Sequence, residues 1–277
     1  MSPKGKLLII GGNEDRADNE VEMKESNQAF LNDEILKLLV NSKDDRIEVI
    51  TIASSEPASM RDTYQKTFDD IGYTNFGFLH DTEETPIADY LKRIADSKTV
   101  FFTGGDQSKI CQHFENSDIQ RALQEKYQND GDFIIAGTSA GAMSIPQIVI
   151  CEAENGEAIL ANDIKLESGL GLITNLIADT HFVSRGRFGR LTHAVLLHQD
   201  LYGVGLGEDT ALLIKDGNKA ICKGSGMVIM ISAKNVENTN ISAAKDGCPV
   251  YAENLTVHIL TENCTVDLET GNIEKTD

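Results

Sequence analysis

Positive charge is scarce in this chain: 25 lysines and arginines stand against 44 aspartates and glutamates, a formal net charge of -19 over 277 residues. That balance disfavours a general nucleic-acid or anionic-membrane binder, because both depend on basic side chains to meet phosphate. Long apolar runs are missing as well. Leu7-Leu8-Ile9-Ile10 stops at two glycines, too short for a signal-peptide core and far short of a membrane span. The five cysteines, Cys111, Cys151, Cys222, Cys248 and Cys264, have no metal-type spacing, and an odd number cannot all pair within one chain. These absences lead us to expect a protein of a reducing, cytoplasmic setting. No linker, internal repeat or low-complexity block interrupts residues 1–277, so a single domain is expected.

What is present is an alternation. Lys6 to Ile10, Arg46 to Ile52, Asn75 to Leu79, Thr99 to Phe102 and Phe133 to Ala136 are short apolar or β-branched runs ending near glycine, serine or aspartate. They read as buried parallel strands. Helical spacing lies between them, in Phe30, Leu31, Ile35, Leu38 and Leu39, in Met60, Tyr64 and Phe68, and in Ile87, Leu91 and Ile94. A further cycle has Ile177 to Asp179 as a strand, Phe188 to Leu197 as a helix and Tyr202 to Leu206 as a strand. From Thr210 the runs are separated by the turn signals Asp216-Gly217-Asn218 and Gly224-Ser225-Gly226, which predict antiparallel hairpins. Leu255 to Leu260 and Val266 to Leu268 are expected as edge strands. The acidic stretch Asn13 to Lys24 reads as a solvated loop. The expected class is α/β, a mostly parallel sheet flanked by helices with antiparallel C-terminal strands.

Gly137-Thr138-Ser139-Ala140-Gly141 fits G-x-S-x-G between an apolar strand and residues able to open a helix, the strand-turn-helix context of a nucleophile elbow. Ser139 is thus a candidate nucleophile, with the Ala140 amide and one near Gly105, in Thr103-Gly104-Gly105-Asp106, as candidate oxyanion donors. A glycine-rich turn placed only for packing gives the same pattern. A serine needs a base, and of six histidines His181 follows a strand at the carboxyl edge where open α/β sheets bind ligands. An acid should orient it. Glu208 and Asp209 follow Tyr202 to Leu206 at that edge, and Glu208 has the longer reach. The order serine, histidine, acid departs from that of α/β-hydrolases and disfavours that fold.

Arg185, Arg187 and Arg190 crowd six residues of a chain poor in basic residues. Their forks could grip substrate carboxylates, or could belong to a salt-bridged surface loop. Asp179 and Gln107 could accept from a cationic group, or could serve ordinary loop hydrogen bonding.

These residues together resemble the cyanophycinases, within the peptidase group that also holds aspartyl dipeptidases. The resemblance is carried by Gly11-Gly12-Asn13-Glu14-Asp15, Phe102-Thr103-Gly104-Gly105-Asp106-Gln107, Gly137 to Ala142, Asp179-Thr180-His181-Phe182, Arg185-Gly186-Arg187-Phe188-Gly189-Arg190 and Gly205 to Ala211. It implies a fold similar to class I glutamine amidotransferases, a Ser139, His181, Glu208 triad and an oxyanion hole near Gly105 and Ala140, with no metal or cofactor. It also implies a homodimer acting on cyanophycin, a poly-aspartate with arginine on its side-chain carboxyls, and exolytic release of β-Asp-Arg dipeptides. Gln107, Asp179, Arg185, Arg187 and Arg190 match substrate-binding positions of the family. Thr180 stands where the family usually has glutamine, so one long polar contact is absent. The alternatives are an aspartyl or isoaspartyl dipeptidase of the same fold and a non-catalytic binding protein that keeps it.

Overall fold

The computed structural model describes residues 2–16, 27–28, 30–80, 85–153 and 158–275. In chain order the elements begin with β1 (Lys6–Ile10), β2 (Ile47–Ile50), α1 (Pro57–Ile71), β3 (Phe76–Leu79), α2 (Ile87–Asp96) and β4 (Thr99–Phe102). They continue with α3 (Gln107–Phe114), α4 (Asp118–Asn129), β5 (Ile134–Thr138), α5 (Ala140–Ser144), β6 (Ile148–Ala153), β7 (Ile164–Ser168), β8 (Leu176–Asp179) and α6 (Phe188–Leu197). The remainder is all strand: β9 (Tyr202–Leu206), β10 (Thr210–Lys215), β11 (Lys219–Gly224), β12 (Val228–Ser232), β13 (Asn238–Thr239), β14 (Ala252–Glu253), β15 (Thr256–Leu260), β16 (Cys264–Asp267) and β17 (Ile273–Lys275).

A nine-stranded sheet runs β17-β16-β11-β10-β1-β5-β4-β2-β3. Its half from β1 to β3 is parallel, and β10, β11, β16 and β17 add the antiparallel half. β1, β4 and β5 are apolar on both faces because helices cover the parallel half, where each strand is buried on both sides. α1 illustrates the local logic. Pro57 opens it where a missing N–H costs nothing, Tyr64 and Phe68 face the core, and Gly72 closes it in the left-handed region at φ 85°.

Register then sets where the loops emerge. Ile10 lies opposite Thr138, and Phe102 opposite Gly137, so the residues following β1, β4 and β5 leave the sheet side by side. The cycle around α6 builds a second sheet, ordered β15-β12-β9-β8, with β8 and β9 parallel. There Asp179 lies opposite Gly205, which brings Thr180-His181 beside Leu206-Gly207-Glu208. The two sheet edges meet through the His181 amide, which donates to Gly11 O at 2.8 Å, and the Asp209 amide, which donates to Gly12 O at 3.1 Å. Ile177, Phe182, Leu191, Val195 and Ile231 form an apolar cluster between α6 and this sheet.

Three local expectations change. The apolar spacing from Phe30 to Leu39 yields only a single 3-10 turn, Leu36–Leu39: Ile35, Leu36 and Leu39 pack into the core beside the sheet while Leu31 is exposed. The hairpin expected across Gly224-Ser225-Gly226 does not form: β11 stays in the large sheet while β12 crosses to pair with β9 and β15. Glu14 and Asp15, expected in a solvated loop, are buried, whereas 17–24 of that stretch lie outside the described residues.

Candidate active site

Ser139 sits between β5 and α5 with φ 51° and ψ -118°, a strained conformation for a residue bearing a Cβ. The turn is enforced from both sides. Ser139 N donates to Ile10 O at 3.1 Å, and the Met143 amide returns to Ser139 O at 3.0 Å. Beneath it Glu14, only 1% exposed, accepts from Thr138 Oγ1 at 2.7 Å and from Tyr64 Oη at 2.6 Å. Burial first, and the Glu14 charge second, push the Tyr64 phenol well above its ordinary value, so it stays a donor.

His181 Nε2 lies 3.1 Å from Ser139 Oγ, and Nδ1 lies 2.8 Å from Glu208 Oε1. His181 is itself left-handed, at φ 47°. Its ring is backed by Gly12, where an added Cβ would fall 2.4 Å from Nε2 and the backbone stands at φ 92°. Gly12→Ala is therefore expected to displace the imidazole and lower kcat by about 100-fold, with thermal melting as the control for folding. Glu208 is held by two further donors, Asn13 Nδ2 at 3.1 Å and Ser184 Oγ at 3.0 Å. Burial alone would raise its carboxyl, but the bonds from His181, Ser184 and Asn13 bring it below the ordinary value. Asp209 turns away into the interior, where Ser225 Oγ and the Asp15 amide donate to it. Burial holds His181 below its usual pKa, against the opposing pull of Glu208. A neutral imidazole between a hydroxyl and an ionised carboxylate can take a proton from the first while the second stabilises the resulting cation.

The loop after β4 packs against this row. A Cβ on Gly104 would stand 3.4 Å from Ser139 Cβ, and one on Gly105, at φ 141°, would strike Ala53 O at 2.1 Å. Only glycine fits so close a passage of two backbones. The neighbouring Thr103 and Asp106 amides are taken by Ile50 O and Ala53 O. Gly104 thus packs on Ser139 while Gly105 packs on Ala53, and Ala140 follows Ser139 in the chain.

The arginine block is placed differently from its expectation. Asp179 is fully buried and accepts from Arg190 Nε at 2.6 Å, from Arg187 Nη1 at 3.2 Å and from the Thr180 amide at 2.8 Å. In this geometry it does not offer its carboxylate to a cationic substrate group. Arg190 is buried against it, and Thr180 is buried with Oγ1 unbonded among the described residues. All three are buried in this structure. Arg187 also donates to Thr180 O at 2.8 Å, and burial brings its guanidinium down to about 10. Arg185 is exposed, and 13% of the Arg187 side chain remains so. Of the three arginines in the block, those two keep some exposure. Gln107 Nε2 donates to Ile150 O and Cys151 O at 2.9 and 3.1 Å, tying α3 to β6 and leaving its amide oxygen for a donor.

Sequence reading passed over Glu14, Asn13 and Gly12 as functional residues. The first two lay in a stretch read as solvated. Gly12 carried a signal in the glycine pair ending β1, which only a close neighbour explains.

Residues 17–222, well over half the chain, match the model of peptidase family S51. The cyanophycinase of Synechococcus elongatus is 28% identical over 98% of this chain and 81% of its own length. That of Trichormus variabilis is 29% identical over 94% and 85%. Among solved structures, a peptidase from an acI-B1 actinobacterium superposes with a TM-score of 0.64 at 18% identity, covering 95% of this chain and 96% of that one. That likeness concerns the fold, while the family match concerns the sequence that builds the site, and on it the chain belongs to peptidase family S51.

Proposed function

We propose that this peptidase is a serine enzyme that cuts the aspartyl backbone of cyanophycin exolytically and releases β-Asp-Arg dipeptides. The observation that carries the reading is the unbroken row from Ser139 Oγ through His181 to Glu208, with spacings of 3.1 and 2.8 Å. His181 Nε2 takes the Ser139 proton as Oγ bonds to the scissile carbonyl carbon. The Gly105 and Ala140 amides hold the oxyanion. The tetrahedral adduct collapses, the C–N bond breaks, and Nε2 returns the proton to the leaving amine. Water, activated by the same imidazole, then hydrolyses the ester on Ser139. Arg185 and Arg187 bind substrate carboxylates, and the Gln107 amide oxygen accepts from a guanidinium. The cyanophycinase names of the relatives support the substrate class.

An aspartyl or isoaspartyl dipeptidase of the same fold is the second reading, favoured by the pairing of Asp179 with Arg190, which engages two groups expected from sequence to meet the polymer. Incubation with purified cyanophycin and with small β-aspartyl peptides, read by mass spectrometry, separates the two. Release of β-Asp-Arg units from the polymer is expected; hydrolysis of the small peptides alone would replace the substrate assignment.

The pH dependence follows from His181. It acts as a base only when neutral, and its pKa is held below the usual value of about 6.5. The acid limb of kcat/KM is therefore expected to inflect below pH 6.5, with activity rising as pH rises through it. An inflection at pH 7 or above would contradict the buried, neutral imidazole.

A further inference from the structure

In the order β1-β5-β4-β2 the loop after β1, on which His181 and the arginine block dock, lies on one side of Ser139 and the loops after β4 and β2 on the other, and these last two line a cavity of about 300 Å³. Its walls are the loop Ser54-Ser55-Glu56, the first turns of α1 at Ser59 and Thr63, and Arg16. Because Gly104 packs on Ser139, the cavity begins one residue's width from the reacting hydroxyl. Its lining mixes apolar and polar surface and carries both signs: Met60 stands beside one guanidinium, one exposed carboxylate at Glu56 and four hydroxyls.

Arg16 is set there by the network that also shapes the elbow. Its Nη1 donates to Tyr64 Oη at 3.3 Å, its guanidinium stands 5.5 Å from the Tyr64 ring centroid, and Glu14 Oε1 is 4.0 Å away. Glu14 in turn holds Thr138, the residue before Ser139. The side chain is 19% exposed, so the guanidinium is steered into the cavity wall by fixed partners while part of it faces the opening. A fork held in this way loses less freedom on meeting a carboxylate than a mobile surface arginine would.

We infer that this cavity is a subsite for the polymer unit across the scissile bond, with Arg16 taking that unit's arginyl carboxylate and Glu56 its guanidinium. The inference rests on the polymer reading above. Any chain cut at Ser139 must place one unit on each side of it. The Arg185 and Arg187 guanidiniums serve one side, and this cavity, with its two opposite charges, lies on the other. A purely anionic or purely cationic ligand would leave Glu56 or Arg16 opposed by like charge, whereas each β-Asp-Arg unit carries both groups. The volume lies at the small end of ligand pockets and suits one unit.

The test uses two-unit β-Asp-Arg oligomers in which the arginine of either the first or the second unit is replaced by agmatine, which keeps the guanidinium and lacks the carboxylate. Arg16→Ala is expected to raise KM for the complete oligomer on the order of tenfold, with kcat little changed, from loss of one charge-assisted pair. The same substitution should have no further effect on one of the two agmatine oligomers, the one whose missing carboxylate Arg16 would have met. Arg16→Lys should recover part of the loss. Glu56→Gln, at an exposed position remote from the core, should raise KM for the complete oligomer in the same way. Equal loss of kcat on all oligomers with Arg16→Ala would mark a role through Tyr64 and Glu14 alone and overturn the subsite. Unchanged KM with both variants, while the wild type cleaves the complete oligomer, would also overturn it and leave the polymer reading standing. Failure of the wild type to cleave any oligomer would remove both.

Discussion

Ser139→Ala should lower kcat by about 10⁵-fold or more while leaving the dissociation constant for substrate within a few-fold of wild type. Removal of the nucleophile from a triad whose members act together forfeits nearly all the chemistry, and what remains comes from the oxyanion donors and binding. The variant should fold normally. Alanine has the same Cβ in the strained turn at φ 51°, and the bonds that enforce the turn run through backbone atoms and Thr138. Ser139 Oγ pairs with His181 Nε2, and its loss leaves Glu14, Thr138 and Tyr64 beneath the elbow bonded to one another as before. Dipeptide release followed by chromatography gives kcat, and calorimetry with the inactive variant gives affinity. A kcat within tenfold of wild type would mean that another group attacks the substrate.

The second large effect concerns stability. Asp179→Ala would leave Arg190 buried without its carboxylate and remove the anchor of Arg187 Nη1, a change of the kind that costs about 3–5 kcal/mol. The same carboxylate receives the Thr180 amide, one residue before His181, so kcat should fall along with stability. Denaturant unfolding measures the first effect and turnover the second. The experiment also decides between two roles for this residue. If Asp179 met a cationic group of the substrate, its loss would raise KM and leave the unfolding midpoint nearly unchanged; if it serves as the buried counterion described above, the midpoint falls first.

Much of the site was legible because parallel strands write their ends clearly. Continuous apolar runs closed by glycine placed Gly104-Gly105 and Ser139 at one edge, and the runs before His181 and Glu208 did the same for the second sheet. Reach distinguished Glu208 from Asp209, although sequence could not say that Asp209 would turn inward to Ser225. The rest depended on contacts between distant segments. Glu14 reads as one more acid in an acidic stretch until Tyr64 and Thr138, remote in sequence, close around it. Asp179 and Arg190 read as two ligand contacts, because nothing local reveals that Arg190, in the first turn of α6, meets Asp179 at the end of β8 in the interior. β12 shows the same limit in the fold: its alternation identifies a strand, but pairing with β9 and not β11 is a tertiary choice. Phe30 to Leu39 failed for a different reason, since apolar residues at helical spacing also suit an irregular segment in which Ile35, Leu36 and Leu39 are buried and Leu31 is not.

The account stands or falls on whether Ser139 is the atom that attacks. A serine-reactive phosphonate, followed by intact-mass and peptide analysis, asks this without assuming a substrate. A single adduct on the peptide bearing Ser139, formed more slowly as His181 becomes protonated and absent from Ser139→Ala, is the predicted result. An adduct on another residue, or none from an enzyme that still hydrolyses peptides, would contradict it.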